Sequence, residues 1–467
     1  MKIYGKIANH DEELFYGQIT TNPKTGLIES VKKTKFAHDS DIVFTENNII
    51  FPGMGDLHVH AREDQTQNQT HKEDYRTAAN AALNGGITFM ATMPNTPHPL
   101  TTDDDLSWHQ KKIIELNHPV TILNYAGIGP KTHPLKNTVP YKVYTGPSVG
   151  DLFFKNAEEL ETALSKYKGK NISFHVEDFE ILEENKNAPT HSDRRPPRCV
   201  TTALEYLLPI IEKYEIKAKL CHWSLGKKSF EMIAAHRKSM EKLNLGYNTT
   251  IEVSPEHLLF DRKMLEEQPE LWPYIQMNPA IQSRQDRLDL IEALRTGFID
   301  YLATDHAPHS LDEKFTQFAE FKNHYPKAKT NEEIYLAMLK NNHTLCIETC
   351  KKNGTSGATW LDTYALVVSK LLEDYQFTPQ EVALVTAYNP GLFINQFLDK
   401  NLFGKGFGKI APGYQATFTI LNTKTHTTLR RSDLQTKCNW SPLENTTFPG
   451  KLEKVIIKGV DQTNKFS

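Results

Sequence analysis

Cysteine is scarce in this chain, five in 467 residues, and Cys199, Cys221, Cys346, Cys350 and Cys438 are odd in number and scattered. That pattern argues against a disulfide-built scaffold and for a reducing compartment, so the cytoplasm is the expected location. Cys346 and Cys350 stand four apart in a helix-like stretch and are given no metal role. An excess of one charge is also missing. The formal net charge is −3, from well-mixed charges with no basic block or acidic tail, which argues against a nucleic acid or a membrane surface as partner. No window approaches the ~18 uninterrupted apolar residues of a spanning helix. The opening Met1-Lys-Ile-Tyr-Gly-Lys-Ile-Ala8 has no apolar signal core. A small-molecule enzyme fits this balance.

What the chain does have is 39% hydrophobic and 10% aromatic content, enough for a large core, and a length that suggests one big domain plus a smaller one. Residues 1–50 read as short strands at 2–7, 15–20, 27–31 and 42–44, with a turn at Asn22-Pro-Lys-Thr-Gly26. From residue 53 the pattern changes to short apolar runs alternating with helical ones. Candidate strands are 55–60, 87–92, 120–126, 141–144, 172–175, 217–222, 250–253 and 299–303, with helix-like segments such as 74–84, 157–167, 201–214 and 284–295 between them. Beyond about residue 400, strand-and-turn text returns at 408–414, 416–421, 425–429 and 452–458. A lone ribbon is marginal in water, so residues 1–52 and 409–467 are expected to build one small β-sandwich domain together.

Eight βα units fit a (β/α)8 barrel or a doubly wound sheet. The polar residues separate the two. Nearly every candidate strand ends in a reactive side chain: His58 and His60, the Asn95 of Met93-Pro-Asn95, Lys142 with Tyr144, His175, His222, Glu252 and Asp305. Barrel enzymes gather their chemistry at the carboxyl ends of the strands, so an α/β fold with a (β/α)8 TIM barrel over residues 53–408 is expected.

The sharpest stretch is Phe51-Pro-Gly-Met-Gly-Asp-Leu-His-Val-His-Ala-Arg62. In an extended strand, residues i and i+2 share a side, so His58 and His60 aim both imidazoles at one point. The ordinary alternative for this stretch, two histidines that alternate on an exposed strand, is the lesser reading. A hydrolytic metal centre needs neutral imidazoles and carboxylates that leave room for water, and His58, His60, His175, His222 and Asp305 supply them. An ammonium at Lys142 would be repelled by a dication. Carbamylated by carbon dioxide, the same side chain becomes an anionic oxygen ligand able to bridge two metals. A solvated surface lysine is the ordinary alternative, and the position at a strand end among ligand-like histidines speaks against it.

These residues, with His71-Lys-Glu-Asp74, Gly85-Gly-Ile-Thr88, Met93-Pro-Asn-Thr96, Arg195-Pro-Pro197, Cys221-His222, Glu252-Val-Ser-Pro255, Asn278-Pro279, Thr304-Asp-His-Ala-Pro-His309, Asn389-Pro390 and Lys437-Cys-Asn-Trp-Ser-Pro442, run over nearly the whole chain. The sequence resembles the dihydroorotases of the amidohydrolase superfamily. The resemblance implies reversible hydrolysis of the cyclic amide of dihydroorotate to N-carbamoyl-L-aspartate in pyrimidine biosynthesis. It implies two zinc ions per subunit, one on His58, His60 and Asp305 and one on His175 and His222, bridged by N6-carboxylated Lys142. Arg62, Asn95 and His309 would bind the substrate carboxylate and Asn278 would lie near the ring. Asp305 would shuttle the proton, and Arg62 offers a planar fork suited to a carboxylate. A homodimer and an association with aspartate transcarbamoylase are further expectations.

Two rivals share the pattern. A hydantoinase or allantoinase would keep the barrel and the metal ligands, but its substrates lack the ring carboxylate that Arg62, Asn95 and His309 would recognise. A catalytically dead partner of aspartate transcarbamoylase would have lost metal ligands, and all six are present here. Departures from the family pattern are Glu63-Asp-Gln65 in place of Glu-Pro-Gly, Pro255-Glu-His-Leu258 in place of Pro-His-His-Leu, and an apparent insertion over residues 315–353. A lid, a partner surface or a helical elaboration would each suit that insertion. Thr359 and Trp360 stand where relatives carry main-chain contacts to the ring.

Overall fold

Short alternating or apolar runs set five strands in the first fifty residues: β1 (Lys2–Ile7), β2 (Phe15–Thr21), β3 (Ile28–Lys33), β4 (Ile42–Val43) and β5 (Asn48–Pro52). The structure is a computed structural model that describes residues 1–146, 150, 152–243, 245–246, 248–352 and 354–462. Asn353, at the end of the expected insertion, and residues 463–467 of the C-terminal segment lie outside the described residues.

The central part holds parallel strands β6 (Met54–Val59), β7 (Ile87–Thr92), β8 (Thr121–Asn124), β9 (Ala126–Gly127), β10 (Tyr141–Tyr144), β11 (Asn171–His175), β12 (Lys217–Leu220), β13 (Thr249–Val253) and β14 (Tyr301–Leu302). They pair as β6-β7-β8 and as β9-β10-β11-β12-β13-β14. All eight expected strands are therefore present, the third being split into β8 and β9 around Tyr125, whose N–H turns to Thr92 O at 3.0 Å. At the opposite edges Val59 bridges His306 in parallel, and His60 N–H donates to His306 O at 2.8 Å. Every residue of β6, β7 and β10 is buried, as parallel strands covered on both faces require.

Helices connect these strands, and their starts follow local chemistry. Asp74 caps the helix Tyr75–Asn84 by accepting from Thr77 N–H at 2.9 Å, and Ser283 and Asp286 form a reciprocal capping box on Arg284–Arg295; each such cap contributes about 1 kcal/mol. Gly55 is required where β6 crosses β7, because a Cβ there would overlap the Phe89 ring.

The chain returns to strand with β15 (Phe418–Asn422), β16 (Thr427–Thr428), β17 (Thr447–Phe448), β18 (Lys451–Ile457) and β19 (Val460–Asp461). The expected sandwich of two sheets is instead one hydrogen-bonded sheet, β19-β18-β15-β5-β1-β2-β3 with β4 branching from β1, plus a separate β16-β17 ribbon. The reason is β5, whose Ile50 pairs with Ile7 on one side and Ile420 on the other, stitching both chain ends through one strand. Ile3, Ile7, Ile19, Ile50, Phe418, Ile420 and Ile456 bury its apolar face. Residues 408–414, read as strand, form a turn in which Gly408 and Gly413 have positive φ (109° and 87°).

The apparent insertion is helical: a 3-10 turn Thr316–Phe321, then helices Asn331–Asn341 and His343–Cys350. Phe315, Phe318, Tyr335, Met338, Cys346 and Cys350 pack with Trp272, Ile275, Trp360 and Trp440 in one buried cluster. Cys346 and Cys350 serve this core.

Candidate metal centre

His58 stands in β6 one residue from its end, His60 follows the strand directly, and Asp305 follows β14 by three residues. Each histidine Nε2 approaches the same Asp305 Oδ1, at 3.1 and 3.2 Å, and one donor atom from each of the three residues falls within 4.8 Å of the others. A second pair stands beside them, with His175 Nδ1 2.9 Å from His222 Nε2. The His58 ring lies 5.3 Å from those of both His60 and His222.

Buried carboxylates decide which nitrogens are free. His58 Nδ1 lies 2.7 Å from Glu252 Oε1, and His175 Nε2 lies 2.8 Å from Glu177 Oε2. The N–H groups belong there, since a carboxylate only accepts, and the opposite nitrogens keep lone pairs for a cation. Glu252 is in turn ion-paired to Lys219 and Glu177 to Arg195. Burial, reinforced by Lys142, holds His58 and His222 well below the usual imidazole range, and burial with Arg62 does the same for His60. Neutral rings are the metal-binding form. Burial pushes Asp305 up to about 7, against the opposing charge of Lys142.

Lys142, at 0% exposure, buries an Nζ with no hydrogen-bond partner, 5.2 Å from the Tyr144 ring centroid. A buried ammonium without a hydrogen-bond partner is costly, and here the Asp305 carboxyl is a charge set against it. A further grouping within ligand reach, His58, Cys221 and Glu252, is the support of His58 rather than another cation site. Glu252 is committed to Lys219, and burial pushes the Cys221 thiol up.

Arg62, His222 and Asp305 have φ of 58°, 36° and 47°, the left-handed region that costs a non-glycine residue on the order of 1 kcal/mol or more. The contacts around them hold this strain where side chains must leave the strand ends at special angles.

The rest of the site opens from this cluster. Arg62 Nε donates to Pro308 O at 3.3 Å, and its Nη2 lies 3.2 Å from His309 Nε2. Trp440 Nε1 donates to His309 O at 2.7 Å. Burial lowers His309 to about 3. Asn278 Oδ1 accepts from Ser356 Oγ at 3.1 Å. A cavity of about 430 Å³ is lined by His58, His60, Arg62, Asn95, His175, His222, Asn278, Asp305 and His309; of the ten residues expected from sequence, Lys142 alone is not in its wall.

Sequence reasoning left several residues out. Glu177 follows His175 by two and contacts its ring, a spacing legible in the sequence, and Glu252 is legible there only as a strand-end acid. Gln69, Met277, Ala307, Ser356 and Gly357 complete the wall with the strand-end Tyr144. Thr359 and Trp360 do not reach it: Thr359 Oγ1 donates to Trp440 O, and Trp360 N–H donates to His306 Nδ1 at 3.0 Å. The chain meets the cavity a few residues earlier, at 356–357.

Residues 47–139 match a family model described as dihydro-orotase-like. A dihydroorotase of Pyrococcus furiosus is 26% identical over 434 residues, spanning 93% of this chain and 86% of the relative. A dihydroorotase of Bacillus subtilis is 30% identical over 329 residues, 67% of this chain and 72% of the relative. Among solved structures, an L-hydantoinase (dihydropyrimidinase) from Arthrobacter aurescens aligns with a TM-score of 0.76 at 17% identity, covering 98% of this chain and 95% of that one. A dihydropyrimidinase from Brevibacillus agri NCHU1002 aligns at 0.73 and 16%, covering 99% and 95%. Likeness at such identity speaks for the fold.

Proposed function

This chain belongs to the dihydroorotase family, and from that premise we propose that it hydrolyses the cyclic amide of (S)-dihydroorotate reversibly to N-carbamoyl-L-aspartate, a step of pyrimidine biosynthesis. The observation that carries the substrate is Arg62, whose guanidinium lines the same cavity as His58, His60 and Asp305. Dihydroorotate has a ring carboxylate for that fork to grip, and hydantoin and allantoin do not.

The reading includes a closed (β/α)8 barrel over residues 53–408, supported by the Val59–His306 bridge and by the run of β8 into β9. Residues 1–52 and 409–467 form the companion β domain in this reading. Five free cysteines support a reducing cytoplasm.

The donor set fits two zinc ions: His58, His60 and Asp305 would hold one, His175 and His222 would hold the second, and a carboxylated Lys142 would supply an anionic oxygen ligand to them. Three features support the fit: donor atoms within 4.8 Å, imidazole tautomers fixed by Glu252 and Glu177, and a buried Lys142 Nζ without a partner. Divalent cations bound there would lower the pKa of a water and polarise the ring carbonyl. The chain's own residues do the rest. Arg62, Asn95 and His309 hold the substrate carboxylate, and Asn278, steadied by Ser356, flanks the ring. The Asp305 carboxylate takes the proton of the attacking water and delivers it to the departing ring nitrogen, and it runs the same transfer backwards on ring closure.

Metal-replete protein assayed on dihydroorotate, N-carbamoyl-aspartate, hydantoin and allantoin tests this. Turnover of the first two alone is expected, and Arg62→Met should keep its metals while losing at least tenfold in dihydroorotate kcat/KM, about the least a charge-assisted contact contributes. Turnover of hydantoin without dihydroorotate would overturn the substrate.

A further inference from the structure

His309 is a neutral histidine with a cation against each ring nitrogen. Its Nε2 faces Arg62 Nη2 at 3.2 Å, and its Nδ1 faces Lys72 Nζ at 3.3 Å. Both neighbours can only donate, yet one nitrogen of the ring carries a hydrogen. Lys72 is 7% exposed and is anchored by Glu313, Nζ to Oε1 2.8 Å. The other Glu313 oxygen is 3.6 Å from Nδ1, past hydrogen-bond reach.

The substrate reading above, on which this inference rests, decides between the tautomers. A carboxylate only accepts, so the nitrogen on the Arg62 side must bear the hydrogen when the substrate is bound. Nδ1 then holds a buried lone pair that needs a donor, and Lys72 is in reach. We propose that Lys72, anchored by Glu313, is a positioning residue that keeps His309 in its Nε2–H tautomer, so that His309 and Arg62 present converging N–H donors to the substrate carboxylate. Two donors facing each other at 3.2 Å repel, and an anion drawn between them relieves that repulsion. The opposite tautomer, Nδ1–H toward Glu313, would turn a lone pair on the arriving carboxylate and keep Arg62 engaged with the ring.

Both residues lie outside the strands. Lys72 lies just ahead of the helix Tyr75–Asn84, and Glu313 lies in the short helix Leu311–Lys314 that leads into the helical insertion. The segment that precedes the insertion thus reaches the carboxylate pocket through Glu313.

Zinc-loaded wild-type enzyme labelled with 15N-histidine and equilibrated with dihydroorotate and N-carbamoyl-aspartate should show His309 as Nε2–H in long-range 1H–15N correlation spectra, assigned with His309→Gln. Lys72→Met should raise KM for dihydroorotate roughly 10- to 100-fold, the size of one hydrogen bond to a charged group, with kcat within about threefold and metal content unchanged. Lys72→Arg, which can still donate, should recover part of the loss. A wild-type His309 protonated at Nδ1, or a folded Lys72→Met enzyme with unchanged KM, overturns the proposal. The spectrum decides even where the variant does not fold. Wild-type enzyme that leaves dihydroorotate untouched overturns instead the substrate reading beneath it.

Discussion

His58 Nδ1 stands 2.7 Å from Glu252 Oε1, while Lys219 closes on the other oxygen of the same buried carboxylate. One acid therefore orients a candidate metal ligand and neutralises a lysine that is 1% exposed.

Glu252→Gln should hurt twice. The amide cannot balance Lys219, and breaking a buried pair on one side costs about 3–5 kcal/mol of stability. Loss of the carboxylate behind His58 should weaken metal binding by about 10- to 100-fold. Denaturant titration and competition with a chelator read the two effects; a variant as stable and as metal-avid as wild type would refute the double role.

Lys142 offers a contrast. If its carboxylated form bridges the metals, the native mass should exceed the sequence mass by one carbon dioxide, and Lys142→Ala should lose activity that short carboxylic acids or bicarbonate partly restore. In metal-free protein the unpaired Nζ is a burden, so Lys142→Met should unfold at a higher temperature than metal-free wild type. A bare-lysine mass with full activity would remove the bridge.

For Asp305, the expectation is a separation of binding from chemistry. Asp305→Asn keeps an oxygen for the cation but no proton shuttle, so metal content should stay near wild type while ring opening and closure both fail. Substantial turnover with unchanged pH profiles would mean that another group is the base.

Asp362 is buried, and Asn84 Nδ2, Gln435 N–H and Thr436 N–H donate to it at 2.8, 2.8 and 3.1 Å. Burial nonetheless pushes it up to about 7, above the ~3.9 of an unfolded chain. Between those values the folded protein keeps a proton that the unfolded chain has released, so stability is fully present at acid pH and falls as pH rises. The slope is about 1.4 kcal/mol per pH unit per group. Comparing unfolding free energies at about pH 5 and pH 7, Asp362→Asn should remove roughly 2 kcal/mol of the wild-type decline. Parallel pH profiles would count against it.

Much of the fold was legible because its signals are local. Alternating and fully apolar runs marked all eight parallel strands, and the two-residue spacing of His58 and His60 put both rings on one side. Strand-end polar residues named His58, His60, Asn95, Tyr144, His175, His222 and Asp305 in the cavity wall, and the family resemblance added Arg62, Asn278 and His309. Other features depended on distances between segments far apart in the chain. Periodicity says which face a side chain takes, but not what stands across from it. Glu252 behind His58, Lys72 against His309 across 237 positions, and β5 joining both chain ends into one sheet are such cases. So is the cavity wall at Ser356 and Gly357 instead of Thr359 and Trp360. Composition and spacing carried the kinds of side chain and their direction along each strand, whereas tautomer, charge balance and register at the site arise from burial and packing among segments that meet when the chain closes.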